Sequence, residues 1–359
     1  MNASEISEII KKSSKVVPIS GRTKPGSLCD MPNDATVIDL TELNGIVEYE
    51  PDEYTITAKA GTSIKTLITA VEANGQYLPF DPLFKDNGAT LGGTIAANSS
   101  GSGRYRYGGI RDFILGVYFV DGMGNIVRGG GKVVKNASGF DLSKFMVGSL
   151  GRYGVLTEIT MKVFPKPAEY RTLEVTFGSL EDALNCTFAL ANTPFEMDAL
   201  DFRRVARDGR ETNLWIRLGG LPESLPGRLD RLSSWLEQNT SAQTIIRKEF
   251  DGTLWNGLND VEWGKEAKNL IKVPVSPRKL LTLDKCESIN RAHYYGGGNA
   301  ALVSADDLGG LTSTLNNLKL NGQLLRGDAK HPHLGNRGWA GLAQRVKQAL
   351  DPDSKFLGV

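Results

Sequence analysis

The sequence is poor in the residues that ligate metal clusters. It has three cysteines, Cys29, Cys186 and Cys286, among 359 residues, and they are far apart. This low and odd count fits the reduced thiols of a cytosolic protein. It also excludes a cysteine-ligated iron–sulfur cluster or a four-cysteine zinc site within this chain alone.

Long apolar runs and a net charge of one sign are lacking as well. No stretch approaches 18 uninterrupted apolar residues, so we expect no transmembrane helix. The opening MNASEISEIIKKSSKVV lacks the apolar core of a signal peptide. A net charge of +1 gives no reason to expect nucleic acid or an anionic membrane as a partner. We therefore expect a cytoplasmic globular protein of two or three domains.

Glycine, by contrast, is abundant, and it is concentrated in residues 79–109, PFDPLFKDNGATLGGTIAANSSGSGRYRYGG. Such a stretch is costly to order, but it lets the backbone approach a ligand closely. The apolar insert at residues 94–97 indicates a buried turn or helix start. We interpret the stretch as a cradle for a pyrophosphate, with a long surface loop between two strands as the alternative.

Two other segments have a similar character. A short predicted strand, residues 16–19, runs into Ser-Gly-Arg-Thr-Lys at residues 20–24, which offers amides, hydroxyls and two cations to an anion. An ordinary basic turn is the alternative. A second glycine segment, residues 148–154, precedes an alternating strand at 155–164. Neither standard nucleotide motif is present: no Ser or Thr follows Lys132, and Arg106 occupies the last glycine position of G-x-G-x-x-G.

The second half of the chain repeats one order of elements. Predicted elements follow the order β-α-β-β-α-β: a strand at 171–177, a helix at 180–191, strands at 199–204 and 214–219, a helix at 225–237 and a strand at 244–248. A shorter echo runs from 270 to 326, with its first helix predicted over residues 278–289. That order is the ferredoxin-like plan, an antiparallel sheet with helices on one face. A predicted amphipathic helix at 339–350 follows.

Three stretches together carry a family resemblance: strand–SGRTK, DPLFKDNGATLGGTIAANSSGSGRYRYGGIRDFILGV, and GFDLSKFMVGSLGRYGVLTEITMKVFPKP. In this order they resemble the FAD-binding domain of the vanillyl-alcohol oxidase/p-cresol methylhydroxylase (PCMH) superfamily, and the likeness is greatest to FAD-binding subunits of the glycolate oxidase type. It covers residues 15–167 strongly and 330–356 moderately.

The resemblance implies an α+β fold in which a two-lobed PCMH-type FAD-binding domain, residues 1–167, is followed by a ferredoxin-like antiparallel cap domain, residues 168–330. A C-terminal segment, 331–359, would return to the FAD domain. It also implies that FAD contacts the three glycine-rich segments. The residues carried over as cofactor-binding are Ser20, Gly21, Arg22, Thr23, Lys24, Ala89, Thr90, Leu91, Gly92, Gly93, Asn98, Ser100, Gly101, Gly148, Gly151, Gly154 and Val155.

The sequence departs from the family pattern at the histidines. Members with covalent flavin place a histidine in the first loop, whereas residues 20–24 contain none, so we predict noncovalent FAD. His331 and His333 are the candidates for a catalytic base, and a polar surface turn is the alternative. We predict no metal site, because no third ligand is evident near this pair. Arg203, Arg204 and Arg207 could hold a substrate carboxylate, although a solvated face of the cap is the simpler explanation.

The resemblance implies a FAD-dependent oxidoreductase subunit that oxidises a 2-hydroxy acid and passes the electrons onward. Because the chain has no cluster cysteines, we expect a separate iron–sulfur subunit or a soluble acceptor to take the electrons. The resemblance also implies a paralogous flavoprotein as a partner. Two alternatives stay open. One is a noncatalytic FAD-holding accessory subunit of such a complex, and the other is a stand-alone sugar or alcohol flavin oxidase.

Overall fold

The computed structural model describes residues 1–131, 140–205, 209–248 and 252–359. Lys132 and Arg207, both considered above, lie outside these ranges. The chain forms two compact units. The first contains residues 1–100, 108–166 and 337–359, and the second contains residues 101–107 and 167–336.

The elements are numbered along the chain through both units. The strands are β1 (Val16–Ile19), β2 (Thr36–Asp39), β3 (Ile46–Glu50), β4 (Thr55–Lys59), β5 (Gln76–Tyr77), β6 (Ile114–Val120), β7 (Ile126–Gly130), β8 (Val155–Lys162), β9 (Phe164–Pro165), β10 (Glu169–Phe177), β11 (Ala199–Arg204), β12 (Thr212–Gly220), β13 (Thr244–Lys248), β14 (Leu270–Pro274), β15 (Ile289–Tyr295), β16 (Ala300–Ala305), β17 (Asn321–Arg326) and β18 (His333–Gly335). The helices are α1 (Ala3–Lys12), α2 (Ile64–Glu72), α3 (Leu91–Ala96), α4 (Arg104–Tyr107), α5 (Ile110–Phe113), α6 (Leu142–Phe145), α7 (Leu180–Leu190), α8 (Leu225–Asn239), α9 (Gly252–Asn259), α10 (Pro277–Asp284), α11 (Leu308–Asn317) and α12 (Ala340–Leu350).

The first unit has two lobes of sheet. Strands β1 and β2 pair in parallel, while β3, β4, β8, β6 and β7 form a five-stranded antiparallel sheet in that order. Helix α2 begins at a side-chain cap: the Ser63 hydroxyl accepts a hydrogen bond from the Thr66 N–H. One buried cluster joins α1, β1, β6 and β8 to Phe356, so the C-terminal segment contributes to the core of this unit.

The second unit is built on one nine-stranded antiparallel sheet, in the order β13-β10-β12-β11-β15-β16-β14-β17-β18. Its first four strands have the order of one ferredoxin-like unit, and β15, β16, β14 and β17 have the order of a second. The pairing of Phe202 in β11 with Tyr294 in β15 joins the two halves. The predicted fold class, α+β with a ferredoxin-like antiparallel sheet, is therefore confirmed.

The two faces of this sheet differ in chemistry. Because side chains alternate along a strand, Leu173, Val175 and Phe177 fall on one face and Thr172 and Glu174 on the other. The first face is apolar in each of the central strands. The second carries side chains that are polar yet buried: Thr172, Asp201, Arg217, Lys272, His293, Ser304 and Gln323.

Two local predictions differ from the structure. The helix predicted over residues 278–289 ends at Asp284, and residues 289–295 form a strand, because Arg291, His293 and Tyr295 follow the period of a sheet. The turn considered for His333 is instead strand β18, paired with β17. Among the described residues, no helix is long and apolar enough to cross a bilayer.

Candidate functional site

The first unit contains an open cleft with an empty volume of about 780 Å³, open solvent included. Its wall is formed by three separate segments, which correspond to the three glycine-bearing stretches of the sequence. The lining residues are Pro18, Ile19, Ser20, Gly21, Arg22, Thr23, Lys24, Ser27, Leu28, Leu40, Thr90, Gly92, Gly93, Ala96, Ala97, Ser149, Leu150, Gly151, Gly154 and Leu156.

The first wall segment leaves the sheet where β1 ends. Strand β1 pairs with β2 as far as Ile19, opposite Asp39. A Cβ added at Gly21 would lie 2.0 Å from the carbonyl oxygen of Gly88, so this position requires glycine. Arg22 follows with φ 51°, a left-handed conformation that costs about 1–2 kcal/mol in a non-glycine residue. Strain held at a cleft wall is typical of a functional loop.

The second wall segment is the short helix α3 with the residues around it. Thr90 caps the helix, since its Oγ1 accepts a hydrogen bond from the Gly93 N–H at 3.3 Å. The Leu91 N–H donates to Thr62 O and the Gly92 N–H to Ala60 O, at 2.9 and 2.7 Å. These amides are therefore engaged within the protein. The glycine-rich sequence suggested that backbone amides of this stretch would donate to a pyrophosphate. The amides of Leu91 and Gly92 instead donate to carbonyl groups of the protein, and the segment contributes the shape of the cleft wall.

The third wall segment is the turn that leads into β8. Leu150 has φ 51° and Gly151 has φ 71°, so two successive residues adopt the left-handed conformation. A Cβ at Gly151 would lie 2.7 Å from Cγ of Pro18, which belongs to β1. A Cβ at Gly154 would lie 2.7 Å from the carbonyl oxygen of Val120. The approach at Gly151 brings the third segment against the first, and the approach at Gly154 packs it on β6.

The electrostatic centre of the cleft is Lys24. Its residue is only 9% exposed, and its ammonium donates a hydrogen bond to Thr23 Oγ1 at 2.8 Å and lies 5.4 Å from the Phe84 ring centroid. Among the described residues, no carboxylate forms an ion pair with it. Burial lowers the pKa of Lys24 from its ordinary value of 10.5 to about 8. A buried cation without a counter-charge favours an anionic ligand.

Three serine hydroxyls in the cleft wall have no hydrogen-bond partner within the described part of the chain. They are the buried Oγ atoms of Ser20, Ser27 and Ser149. Leaving a buried hydroxyl unpaired costs roughly 1–3 kcal/mol, so such groups usually have a ligand or a water as partner. Together with Lys24 they provide one positive charge and three hydroxyls beside an apolar wall.

The structure places the predicted residues in two groups. Those that line the cleft are Ser20, Gly21, Arg22, Thr23, Lys24, Thr90, Gly92, Gly93, Gly151 and Gly154. Those that are not part of its lining are Ala89, Leu91, Asn98, Ser100, Gly101, Gly148 and Val155. Val155 lies in the core cluster, and Gly101 belongs to the second unit.

Half of the residues that line the cleft were not predicted from the sequence. Pro18 and Ile19 are strand residues, and Ala96, Ala97, Leu150 and Leu156 carry no group that suggests binding. Ser27 and Ser149 could have been found, since Ser27 lies three residues after the segment at 20–24 and Ser149 lies inside the segment at 148–154. Their hydroxyls gained significance only when the fold placed them together.

His331 and His333 belong to the second unit. Their ring centroids are 5.7 Å apart, and the His333 N–H donates to His331 Nδ1 at 3.0 Å. His333 Nδ1 lies 3.0 Å from Asn321 Oδ1. Within the described ranges, no group of three His, Cys, Asp or Glu side chains could hold a metal ion.

Comparison with known proteins adds independent information. The family described as FAD binding domain matches residues 2–130. Glycolate oxidase subunit GlcE of Escherichia coli (strain K12) is 33% identical over 298 residues, which are 77% of this chain and 79% of that protein. Glycolate oxidase subunit GlcD of Bacillus subtilis (strain 168) is 35% identical over 186 residues, 51% of this chain and 39% of that protein. D-lactate dehydrogenase of Archaeoglobus fulgidus is 33% identical over 226 residues, 61% and 50%.

Solved structures show the same fold at low sequence identity. p-Cresol methylhydroxylase with substrate bound has a TM-score of 0.75 at 14% identity, and the match covers 99% of this chain and 87% of that one. Alkyldihydroxyacetonephosphate synthase has a TM-score of 0.70 at 16% identity, covering 99% and 74%. At these identities the likeness concerns the fold alone.

Proposed function

The chain belongs to the FAD-binding superfamily of vanillyl-alcohol oxidase and p-cresol methylhydroxylase, and we propose that it holds FAD noncovalently in the cleft of the first unit as a subunit of a 2-hydroxy-acid oxidoreductase. Membership follows from the match to glycolate oxidase subunit GlcE over most of both chains. At the coarser level it is a FAD-dependent oxidoreductase of the glycolate oxidase and D-lactate dehydrogenase family.

The observation that carries the proposal is the buried ammonium of Lys24. The pyrophosphate of FAD is an anion, and its charge would compensate a lysine that has no acidic partner among the described residues. The hydroxyls of Ser20, Ser27 and Ser149 would donate to the phosphate oxygens, and glycine at 21 leaves the backbone room to approach. The residues that line the cleft therefore fit the pyrophosphate of FAD. FAD, when bound, supplies the hydride acceptor, and the chain supplies position and charge.

The first experiment measures FAD binding by Lys24→Met. Titration of the flavin-free protein with FAD should show at least a tenfold weaker Kd, since a charge-assisted hydrogen bond contributes about 1.5–3 kcal/mol. Lys65→Met is the control, because Lys65 is 74% exposed and lies outside the cleft. Equal Kd values for the two variants would show that Lys24 does not contact FAD and would contradict the assignment of this cleft as the FAD site.

Noncovalent attachment is proposed because residues 20–24 contain no histidine and all three histidines of the chain belong to the second unit. Acid precipitation of the purified yellow protein should leave the flavin in the supernatant. A coloured pellet would contradict this part of the proposal.

The proposed reaction requires partners. With three separated cysteines the chain cannot hold a four-cysteine iron–sulfur cluster alone, so electrons would leave through another subunit. We propose a paralogous flavoprotein and an iron–sulfur protein in that role. Two relatives bear the names of different glycolate oxidase subunits, GlcE and GlcD, which supports a multi-subunit assembly.

A second candidate function is that of a FAD-holding accessory subunit whose partner performs the substrate chemistry. It is favoured by the engagement of His331 Nδ1 and His333 Nδ1 in contacts within the second unit. Anaerobic mixing of the isolated chain with glycolate and with D-lactate separates the two. Bleaching of the oxidised flavin supports a catalytic subunit, and bleaching only after addition of the partner subunits supports an accessory one.

A further inference from the structure

The second unit contains another open cavity, and its chemistry is that of a carboxylate site. It has an empty volume of about 1320 Å³, open solvent included, and charged side chains make up half of its lining. Arg203, Trp263 and Arg291 line it, together with the ion pair of Arg204 and Asp284.

Arg203 is the unusual group in this cavity. Its guanidinium lies 5.4 Å from the Trp215 ring centroid and 5.9 Å from that of Trp263, so two indole faces flank it. It forms neither a hydrogen bond nor an ion pair with any described residue. Burial, with the repulsion of Arg291, lowers the pKa of Arg203. The planar guanidinium fork therefore retains its donors for a bidentate acceptor.

The register of the sheet explains why Arg291 is close. Phe202 pairs with Tyr294 in the antiparallel contact of β11 and β15, which puts Arg203 opposite His293. Arg291 is then the diagonal neighbour on the same face of the sheet, within reach of a long side chain. Arg203 and Arg291 face the same cavity and share no carboxylate among the described residues. An anion bound between them would therefore reduce the repulsion of their positive charges.

The other lining groups restrict the ligand further. The indole N–H of Trp263 and Nε of Arg204 are buried donors without a partner in the described chain. Asp284 accepts from Arg204 and from the Tyr294 hydroxyl, so it does not compensate Arg203. The carboxylates of Asp284 and Glu287 on the same wall would repel an anion of higher charge. The unused donors and the acidic wall favour a monoanion.

We propose that this cavity binds a small hydroxycarboxylate, with its carboxylate between the guanidinium groups of Arg203 and Arg291 and beside Trp263. The evidence for an anion site comes from residues of the second unit alone and does not depend on FAD binding. Only the choice of a 2-hydroxy acid as its ligand rests on the proposed function.

The experiment uses the full chain and D-lactate as the probe, followed by calorimetry and by the fluorescence of the tryptophans that flank Arg203. D-Lactate should bind, and 1,2-propanediol, its uncharged analogue, should not. Arg203→Gln should weaken D-lactate binding at least tenfold. Arg203→Lys should recover little of it, because an ammonium lacks the bidentate fork. Arg291→Gln should have a smaller effect, since Arg291 is exposed.

Two control variants test specificity. Lys285→Gln removes a positive charge from the same wall but leaves the guanidinium fork of Arg203, so it should weaken D-lactate binding less than Arg203→Gln does. Arg247→Gln removes an exposed arginine that pairs with Asp230 outside the cavity lining, and it should bind D-lactate within twofold of the unsubstituted chain. Unchanged binding by Arg203→Gln, an equal loss in Lys285→Gln, or tighter binding of inorganic phosphate than of D-lactate would each overturn the proposal.

Flavin content separates this inference from the proposed function. Arg203→Gln should retain FAD as the unsubstituted chain does, which also shows that the variant is folded. A chain that holds FAD and is bleached by D-lactate, yet loses nothing in Arg203→Gln, would contradict only the carboxylate site. A chain that binds D-lactate through Arg203 but holds no flavin would contradict only the proposed function.

Discussion

At the scale of the residue, Lys24 couples ligand binding to pH. Its pKa is lowered to about 8 in the folded chain, so the ammonium that attracts the pyrophosphate is lost as the pH rises through 8. FAD affinity should therefore fall up to tenfold for each pH unit above about 8, until the pH reaches the pKa of Lys24 in the FAD-bound chain, which the pyrophosphate would raise. Fluorescence titration with FAD at pH 7, 8 and 9 measures this, and Lys24→Met should be insensitive over the same range.

The same lysine should affect the stability of the flavin-free chain with the opposite sign. Its folded pKa is below 10.5, so the unfolded state binds more protons between pH 8 and 10.5. The contribution of Lys24 to the free energy of unfolding is thus least favourable below pH 8 and improves as the pH rises. A flavin affinity that rose with pH would contradict the account of Lys24 as the partner of the pyrophosphate.

Gly21 is the residue at which the cleft is least tolerant of substitution. In Gly21→Ala the added methyl would meet the Gly88 carbonyl oxygen at 2.0 Å, and because backbone lies on both sides, one segment must move. We expect a loss of about 2–4 kcal/mol in the free energy of unfolding and poor FAD retention. Urea denaturation and the flavin-to-protein absorbance ratio measure the two effects.

Gly341→Ala is the matched control for that substitution. Gly341 lies in α12, and an added Cβ would meet nothing within 4 Å. Alanine in a helix is favoured over glycine by up to about 1 kcal/mol, so this variant should be neutral or slightly more stable. Similar losses in both variants would show that the cleft at Gly21 has no special role.

At the scale of the element, the end of α12 contains a buried ion pair whose lysine also contacts the segment before β8. The Lys347 ammonium donates to Asp351 Oδ2 at 2.6 Å and to the Arg152 carbonyl oxygen at 2.7 Å. Asp351 is fully buried and also accepts the Phe356 N–H at 2.9 Å. The pair thus fixes both the end of the helix and the segment that inserts Phe356 into the core.

Lys347→Met should destabilise the chain by about 3–5 kcal/mol, because Asp351 would be left as a buried charge without its cation. Urea denaturation followed by circular dichroism measures the loss. Lys12→Met removes an exposed ion pair with Glu8 and should cost no more than about 0.5 kcal/mol. A small effect of Lys347→Met would mean that Asp351 is solvated or protonated.

The glycine-rich stretch at residues 79–109 is one element in the sequence but two in the structure. Ser100 stays in the first unit, where its Oγ accepts the Ile110 N–H at 2.9 Å. Residues 101–107 belong to the second unit, where the Ser102 hydroxyl donates to Asp201 and Arg106 pairs with Asp198 at 3.0 Å. The stretch is therefore not a single cradle, since only residues 90–97 of it contribute to the wall of the cleft.

At the scale of the whole molecule, bound FAD should stabilise the first unit by linkage. A ligand at 100 times its Kd adds about 2.7 kcal/mol to the stability of the state that binds it. Hydrogen exchange followed by mass spectrometry should show the largest added protection in residues 16–28, 89–97 and 149–156, which contain the lining of the cleft apart from Leu40. Protection confined to the second unit would place the flavin elsewhere.

Much of the fold was predictable from the sequence because it follows from local patterns. Strand β11 (Ala199–Arg204) and strand β13 (Thr244–Lys248) have the predicted bounds, since alternation and turn residues mark them. The family resemblance drawn from three glycine-bearing segments is confirmed by the relatives and by the solved structures. Short elements without a pattern, such as α9 and β18, were not predicted.

The sequence by itself determined the α+β class, the double ferredoxin-like order and the family, because periodicity, turn chemistry and motif order are properties of neighbouring residues. Only the tertiary structure decided which groups are paired. It used the amides of Leu91 and Gly92 inside the protein, and it buried Lys24 without an acidic partner among the described residues. It also placed Arg203 between two indole rings. Pairing and burial depend on residues far apart in the chain, and no local pattern records them.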